Sequence, residues 1–424
     1  MAILLKNATY IEWQTLEFRK TNILVKPGKV DFYDPASIPT GVDEVIDCTG
    51  KLVTKSFVVG HHHAYSALSR GMNPPRKTPT NFYEILKYVW WTLDKCLSTE
   101  MVEYSGLVTA MACAKAGATF AIDHHASPNA VSNSLSTLAS AFEKVGVNHL
   151  LCYEISDRDG ELIAQQGLEE TDRYLDKHQG LVGLHASFTL GDKTLTSAAE
   201  LMRRHQSGIH IHVAEGIYDQ EHCHQNYGQS VIERLNSFGL LSSSKSILVH
   251  CLHLSGNERD IIASSPCWVV QNTDSNLNNN VGYFNSKGLG NNLMLGTDGM
   301  HSDMLQSMKS AYFVGQNFDP MSPMQAYSRL RNAHRYLSSN NFSGDDESNL
   351  LVIDYNSPTP VTPDNFAAHL VFGINSSHIR DVISNGKLIV KNHRLTLVDE
   401  EALLIESRKI AAYLWKRMGD VGAE

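Results

Sequence analysis

The chain has no CxxC pair, no Lys/Arg-rich stretch, no low-complexity tract and no apolar run near the roughly 20 residues a bilayer-spanning helix needs. Each absence removes a class of function. The seven cysteines, Cys48, Cys96, Cys113, Cys152, Cys223, Cys251 and Cys267, are scattered and odd in number, which fits reduced cytosolic thiols better than a disulfide framework. A formal net charge of −9, with no basic stripe to neutralise phosphates, sets nucleic acid aside as a partner. The opening segment MAILLKNATYIEW lacks a basic region followed by a long apolar core, so a cytoplasmic location and no membrane association are expected. No solenoid-type repeat is present. What is there is an ordinary globular composition, 42% hydrophobic and 19% charged over 424 residues, enough for one large domain and a smaller one acting on small molecules.

Short apolar, β-branched runs, each ending in a polar cluster, alternate with helix-length amphipathic segments through the middle of the chain. Eight such runs are SFVVGHHH, ATFAIDHH, HLLCYEIS, GLVGLHAS, GIHIHVAE, SILVHCLH, CWVVQNT and NLMLGTD. Between them, Ser98 or Thr99 is placed to cap one helix, and Thr196 or Ser197 another that stops near Gly208. The alternation predicts an α/β fold with a parallel sheet, and eight units predict a (β/α)8 TIM-like barrel over 56–345. An open doubly wound sheet is the alternative, but it has no need of His, Asp or Glu at the end of nearly every strand. The flanks, 1–55 and 346–395, consist of short strands broken by Gly, Pro and Asp, including a tight hairpin at Asn385-Gly386, and together are expected to form a small β-sandwich. Residues 396–424 read as a closing helix.

The triple histidine carries the chemistry. Side chains on a strand alternate faces, so His61 and His63 point the same way about 6.6 Å apart, and His62 points away. A plain polar strand end is the alternative reading, but metal-type residues recur at matching positions downstream. In a barrel, strand ends converge at the C-terminal mouth, which would gather His61 and His63 with His212 from the fifth strand and Asp298 from the eighth. Three imidazoles and a carboxylate suit one divalent metal ion, zinc first, with iron(II), manganese or cobalt able to use the same ligands. His210 shares a face with His212 but sits one layer deeper, as a packed or hydrogen-bonded barrel histidine. Glu215, three residues past His212, is placed as general acid/base on a metal-activated water, and His250 as a donor to a developing oxyanion. Arg70, His124, His125, Asp157, Arg158 and His185 follow strand ends, where substrate contacts belong. Trp90, Trp91, Phe82 and Tyr83 either wall an aromatic pocket or pack in the core. The HCH at 222–224 reads as surface or lid.

The set HHH, HVAE, LVHC and GTDG resembles the amidohydrolase superfamily, in its cytosine, guanine and triazine deaminase branch with a single metal. The segments YSALSRGM, IDHHASP, CYEISDRDG, IHIHVAEG and LGTDGMHSDM are similar to the SsnA-type aminohydrolases of that branch. The resemblance covers nearly the whole chain. It implies metal ligands at His61, His63, His212 and Asp298, a proton shuttle at Glu215 and a sixth-strand histidine at His250. It also implies deamination of a small, purine-like N-heterocycle, with ring-amide hydrolysis, dechlorination or a catalytically silent metal-binding scaffold as alternatives. A homo-oligomer is expected. Two departures stand out. Lys55-Ser56 replaces the usual Pro-Gly, and Asn272-Thr273-Asp274-Ser275-Asn276 replaces the NPxSN pattern, changes expected to touch loop shape and substrate fit.

Overall fold

A computed structural model describes residues 2–421. Residues 422–424, the end of the expected closing helix, lie outside the described residues; the helix itself spans Glu400–Val421. The first flank supplies β1 (Ile3–Ile11), β2 (Phe18–Lys26), β3 (Lys29–Tyr33), β4 (Glu44–Asp47) and β5 (Leu52–Lys55). Eight parallel strands follow: β6 (Phe57–His62), β7 (Ala118–His125), β8 (Asn148–Tyr153), β9 (Val182–Ala186), β10 (Ile209–Val213), β11 (Ile247–His250), β12 (Trp268–Gln271) and β13 (Leu293–Leu295). The second flank adds β14 (Leu350–Ile353), β15 (Ile379–Ser384), β16 (Lys387–Lys391) and β17 (Arg394–Leu395). Both flanks, expected as a small sandwich, join in one continuous nine-stranded sheet through the β5–β14 pairing, which bridges nearly three hundred residues of sequence. Asn385 and Gly386 make the two-residue turn between β15 and β16, both at positive φ, as a hairpin of this length requires.

The parallel strands form a three-stranded segment, β6-β7-β8, and a five-stranded one, β9 to β13. Bridges at His62↔Asp298, Leu151↔Gly180 and Ile155↔Leu184 join the segments at both seams and close the barrel. Glycine stands at each seam for want of space. A Cβ on Gly60 would lie 2.5 Å from the Leu295 carbonyl oxygen, and one on Gly183 would lie 2.2 Å from that of Tyr153. Within the barrel Val58, Phe120, Ile122, Leu150, Cys152, Ile247, Val249, Val270 and Met294 pack together, joined by Ala333, Tyr336 and Leu337 of the helix Pro323–Ser339. A register shift between Val59 and His62 breaks the simple alternation of β6, so that Val58 and His61 both face the barrel axis.

Helix caps follow local chemistry. Ser98 accepts from the Met101 amide and starts Thr99–Lys115. The next expected cap is corrected: that helix begins at Asp192, behind Gly191, so Thr196 and Ser197 lie inside it, and it ends at Arg204, short of Gly208. No helix among the described residues is long and apolar enough to cross a membrane.

Candidate metal centre and catalytic cavity

Ligand atoms of His61, His63, His212 and Asp298 lie within 4.8 Å of one another at the C-terminal mouth. The hydrogen bonds around them fix which nitrogens carry protons. Nδ1 of His63 is 2.7 Å from the His124 carbonyl, and Nδ1 of His212 is 2.8 Å from the His185 carbonyl. A carbonyl only accepts, so both Nδ1 atoms donate, and each Nε2, once free of its own proton, presents a lone pair. Those two Nε2 atoms face each other at 3.0 Å, and the Asp298 Oδ1 lies 3.1 Å from that of His63 and 3.4 Å from that of His61. His61 Nε2 is buried without a hydrogen-bond partner. Lone pairs so converged repel unless positive charge sits among them, and the residues fit a divalent cation with nitrogen and oxygen preferences. The electrostatics agree. Burial opposes charge on His63, yet the nearby carboxylates, Asp298 first, together outweigh it and lift the imidazole to about 9, so a proton competes with a cation for Nε2. Burial would raise Asp298, but the imidazoles of His61 and His63 beside its Oδ1 hold it well below the usual carboxylate range.

Glu215 and Asp298 are pushed apart. Burial first, then the negative charge of Asp298, drives Glu215 well above the ordinary carboxyl range, which leaves it the proton carrier of the two. Glu215 Oε2 lies 3.4 Å from His250 Nε2, and Oε1 accepts from the Asn279 amide at 3.3 Å. Asn276 meets His250 Nδ1 at 2.8 Å; with that amide donating, the imidazole proton sits on Nε2, facing Glu215. Burial holds His250 down to about 4, so it is neutral in this position. Ser275 donates to Asp298 Oδ2 and fixes the carboxylate rotamer. The altered 272–276 segment therefore enters the site, through the short helix Thr273–Asn278. Lys55-Ser56 does not; it lies at the junction of sheet and barrel.

Above this floor the cavity is walled by Phe82, Tyr83, Trp90, Trp91, Phe188 and Tyr218, with Glu154, Arg158 and His185 on its polar side. The first two aromatics come from the helix Phe82–Ile85, and Tyr83 reaches across to Tyr218, ring centroids 4.8 Å apart. Of the residues expected to touch substrate, Arg158 and His185 line the cavity. Arg158 is spent on Asp94, Glu154 and Asp159 and lies 5.2 Å from the Trp91 ring. The other four are placed elsewhere. Arg70 is exposed beyond the turn that ends β6. His124 Nε2 is 3.1 Å from both the Leu184 and His210 carbonyls inside the barrel. His125 meets Ser127 at 2.9 Å, and Asp157 accepts from Gly191 and Thr194, bracing a loop. His210 meets His61 Nδ1 at 2.8 Å, a barrel histidine as expected. His222 packs beside Phe188 and Tyr218 near the mouth.

Sequence reasoning missed Glu154, Ser275, Asn279 and Phe188 as lining groups. Glu154 was within reach, standing directly after β8, one turn before the Asp157 and Arg158 chosen instead. Asn279 carried no signal, because its place depends on where a short helix ends.

A closed eight-stranded barrel with imidazoles and carboxylates gathered at the C-terminal mouth defines a TIM-like barrel protein with a candidate metal centre. The chain belongs to the amidohydrolase family, whose profile matches residues 52–389. It is 26% identical to a 5-methylthioadenosine/S-adenosylhomocysteine deaminase of Thermoanaerobacter pseudethanolicus, over 98% of this chain and 100% of that one. It is also 26% identical to a 5'-deoxyadenosine deaminase of Methanococcus vannielii, over 90% and 92% of the two chains. An adenosine deaminase structure from Xanthomonas campestris, with bound zinc, superposes with a TM-score of 0.83 at 18% identity, covering 97% of this chain and 98% of that one. The protein is a hydrolase acting on carbon–nitrogen bonds other than peptide bonds.

Proposed function

We propose that the protein is a metal-dependent aminohydrolase that replaces the exocyclic amine of a purine-like N-heterocycle by a carbonyl, consuming water and releasing ammonia. The observation that carries this is geometric: ligand atoms of His61, His63, His212 and Asp298 converge within 4.8 Å of one another, with the Glu215 carboxyl beside them, 3.4 Å from His250 Nε2. Deaminase relatives along nearly the full length support the same reaction. His61, His63, His212 and Asp298 would hold the cation, for which zinc is our choice, in keeping with the zinc held by the Xanthomonas protein. Such a cation supplies a Lewis acid that makes water nucleophilic near neutral pH.

The remaining work falls to the chain's own groups. Glu215 gives its proton to the ring nitrogen beside the reacting carbon, which makes that carbon electrophilic, and as a carboxylate then takes a proton from the added water and passes it to the amine, which leaves as ammonia. His250 Nε2 donates to the oxygen that develops on the reacting carbon. Ser275 and Asn276 keep Asp298 and His250 in register with it. The aromatic wall stacks a planar ring and excludes water.

The test is ammonia release from a panel of aminopurines, aminopurine nucleosides, pterins and aminopyrimidines by metal-loaded protein. At least one purine-type member is expected to turn over. Glu215→Gln is expected to keep its metal and lose about a thousandfold in kcat. Chloride release or ring opening without ammonia would replace the proposal with the other hydrolytic reactions, and undiminished activity of Glu215→Gln would remove that residue from the mechanism.

A further inference from the structure

The middle histidine of the triple run takes no part in the cavity, and what surrounds it gives it other work. We propose that His62, Ser302 and Asp123 form a latch that sets the spacing between the two halves of the metal centre: His61 on β6 with His63 just past its end, and Asp298 beyond β13. This rests on the metal reading above.

His62 points away from the barrel axis and is only 2% exposed. Its Nε2 lies 2.7 Å from the Ser302 hydroxyl, and its Nδ1 lies 3.5 Å from Asp123 Oδ1. Ser302 stands four residues past Asp298 in a loop whose two ends both hold left-handed backbone conformations, Asp298 at φ +51 and Ser302 at φ +61. Non-glycine residues seldom rest there without being held. The near end is held by the backbone, where the Thr297 and Asp298 amides donate to the His61 carbonyl at 3.0 and 3.2 Å. At the far end, the side-chain tie back to β6 is His62 with Ser302.

Asp123, on β7, completes the arrangement. Its Oδ1 accepts from the Ala64 amide at 2.6 Å, which fixes the chain as it turns away after His63. The same three side chains thus touch the strand end that carries His61 and leads into His63, and the loop that carries Asp298. His62 Nδ1 and Asp123 Oδ2 are buried with no hydrogen-bond partner, a cost that a purely structural filler would not carry. Neighbouring outward positions show the cheaper solution, since Val59 and Ala121 fill them with apolar side chains. Without the latch the loop relaxes, and the Asp298 carboxylate loses its set distance of 3.1 Å from His63 Nε2.

Two substitutions at Ser302 separate this role from plain backbone support. Ser302→Ala removes the hydroxyl and keeps the strain; Ser302→Gly removes the hydroxyl and relieves it. Zinc affinity of metal-free wild type and both variants is measured by competition with a coloured chelator, beside the melting temperature of each metal-free protein. The latch predicts a loss of about tenfold or more in zinc affinity for both, while metal-free Ser302→Gly melts no lower than wild type. Zinc affinities within about twofold of wild type overturn it, as does a loss confined to a destabilised Ser302→Ala. If Ser302→Ala does not fold, Ser302→Gly alone decides. A wild type that binds no zinc overturns the metal reading itself and the latch with it.

Discussion

At the scale of single residues, His63 shows how one position ties metal binding to pH. Its imidazole is raised to about 9, against the effect of burial, by the adjacent Asp298. Below that value a cation entering the cluster must displace a proton. Apparent zinc affinity is therefore expected to rise about tenfold per pH unit from about pH 7 to about pH 9 and then level, as read by chelator competition; a flat profile would contradict the assignment. The sign for stability runs the other way in metal-free protein. A raised imidazole pKa stabilises the fold fully below the unfolded value of about 6.5, and that contribution is lost as pH rises through about 9. Most of these groups could be picked from sequence because strand ends in a barrel must meet. Arg70, His125 and Asp157 show the limit of that rule: each stands at or beyond a strand end, yet its exact place decides whether it faces the cavity or braces a loop.

Among the elements, the two barrel seams are where strand pairing is sparsest, and a crowded glycine stands at each. Gly183 is the tighter point, and no side chain there can swing aside, because the obstructing atom is the Tyr153 backbone oxygen. Gly183→Ala is expected to lower the melting temperature by several degrees or leave the protein insoluble, whereas Gly228→Ala, with nothing within 4 Å, costs only its backbone strain at φ +66. Equal melting temperatures for the two would remove the crowding argument. The strand pattern was legible because fully buried parallel strands are near-continuous apolar runs. Helix starts were less so. Asp192–Arg204 begins five residues earlier than a Thr196 cap suggests, because Gly191 leads the chain into the helix with no capping side chain of its own.

For the molecule as a whole, the question is how a barrel interrupting a β-sheet keeps the two in one orientation. The departure at Lys55-Ser56 lies in that joint. Lys55 pairs with Asp345 at 2.8 Å, Asp345 with His334 at 2.7 Å, and Arg331 donates to the Lys55 and Ser56 carbonyls at 3.1 and 2.7 Å. Burial would raise Asp345, but His334 and Lys55 outweigh it and hold the carboxylate far below its usual range. A depressed carboxylate stabilises the fold above its unfolded pKa of about 4, and that contribution is lost as pH falls below it. Asp345→Asn is expected to cost about 3 kcal/mol at neutral pH in chemical denaturation and to flatten the acid limb of the stability profile. An unchanged acid limb would mean that other carboxylates govern it.

The order and spacing of apolar runs and polar strand ends already determined the barrel, the four candidate ligands and the acid beside them, because side-chain periodicity and hydrophobic burial are local rules that a linear pattern can carry. Only the tertiary structure decided which neighbours the second rank of residues would meet: that flank strands far apart in sequence share one sheet, that Arg158 is neutralised within the wall it lines, and that His62 reaches Ser302. Those outcomes depend on distances between segments that no local period encodes.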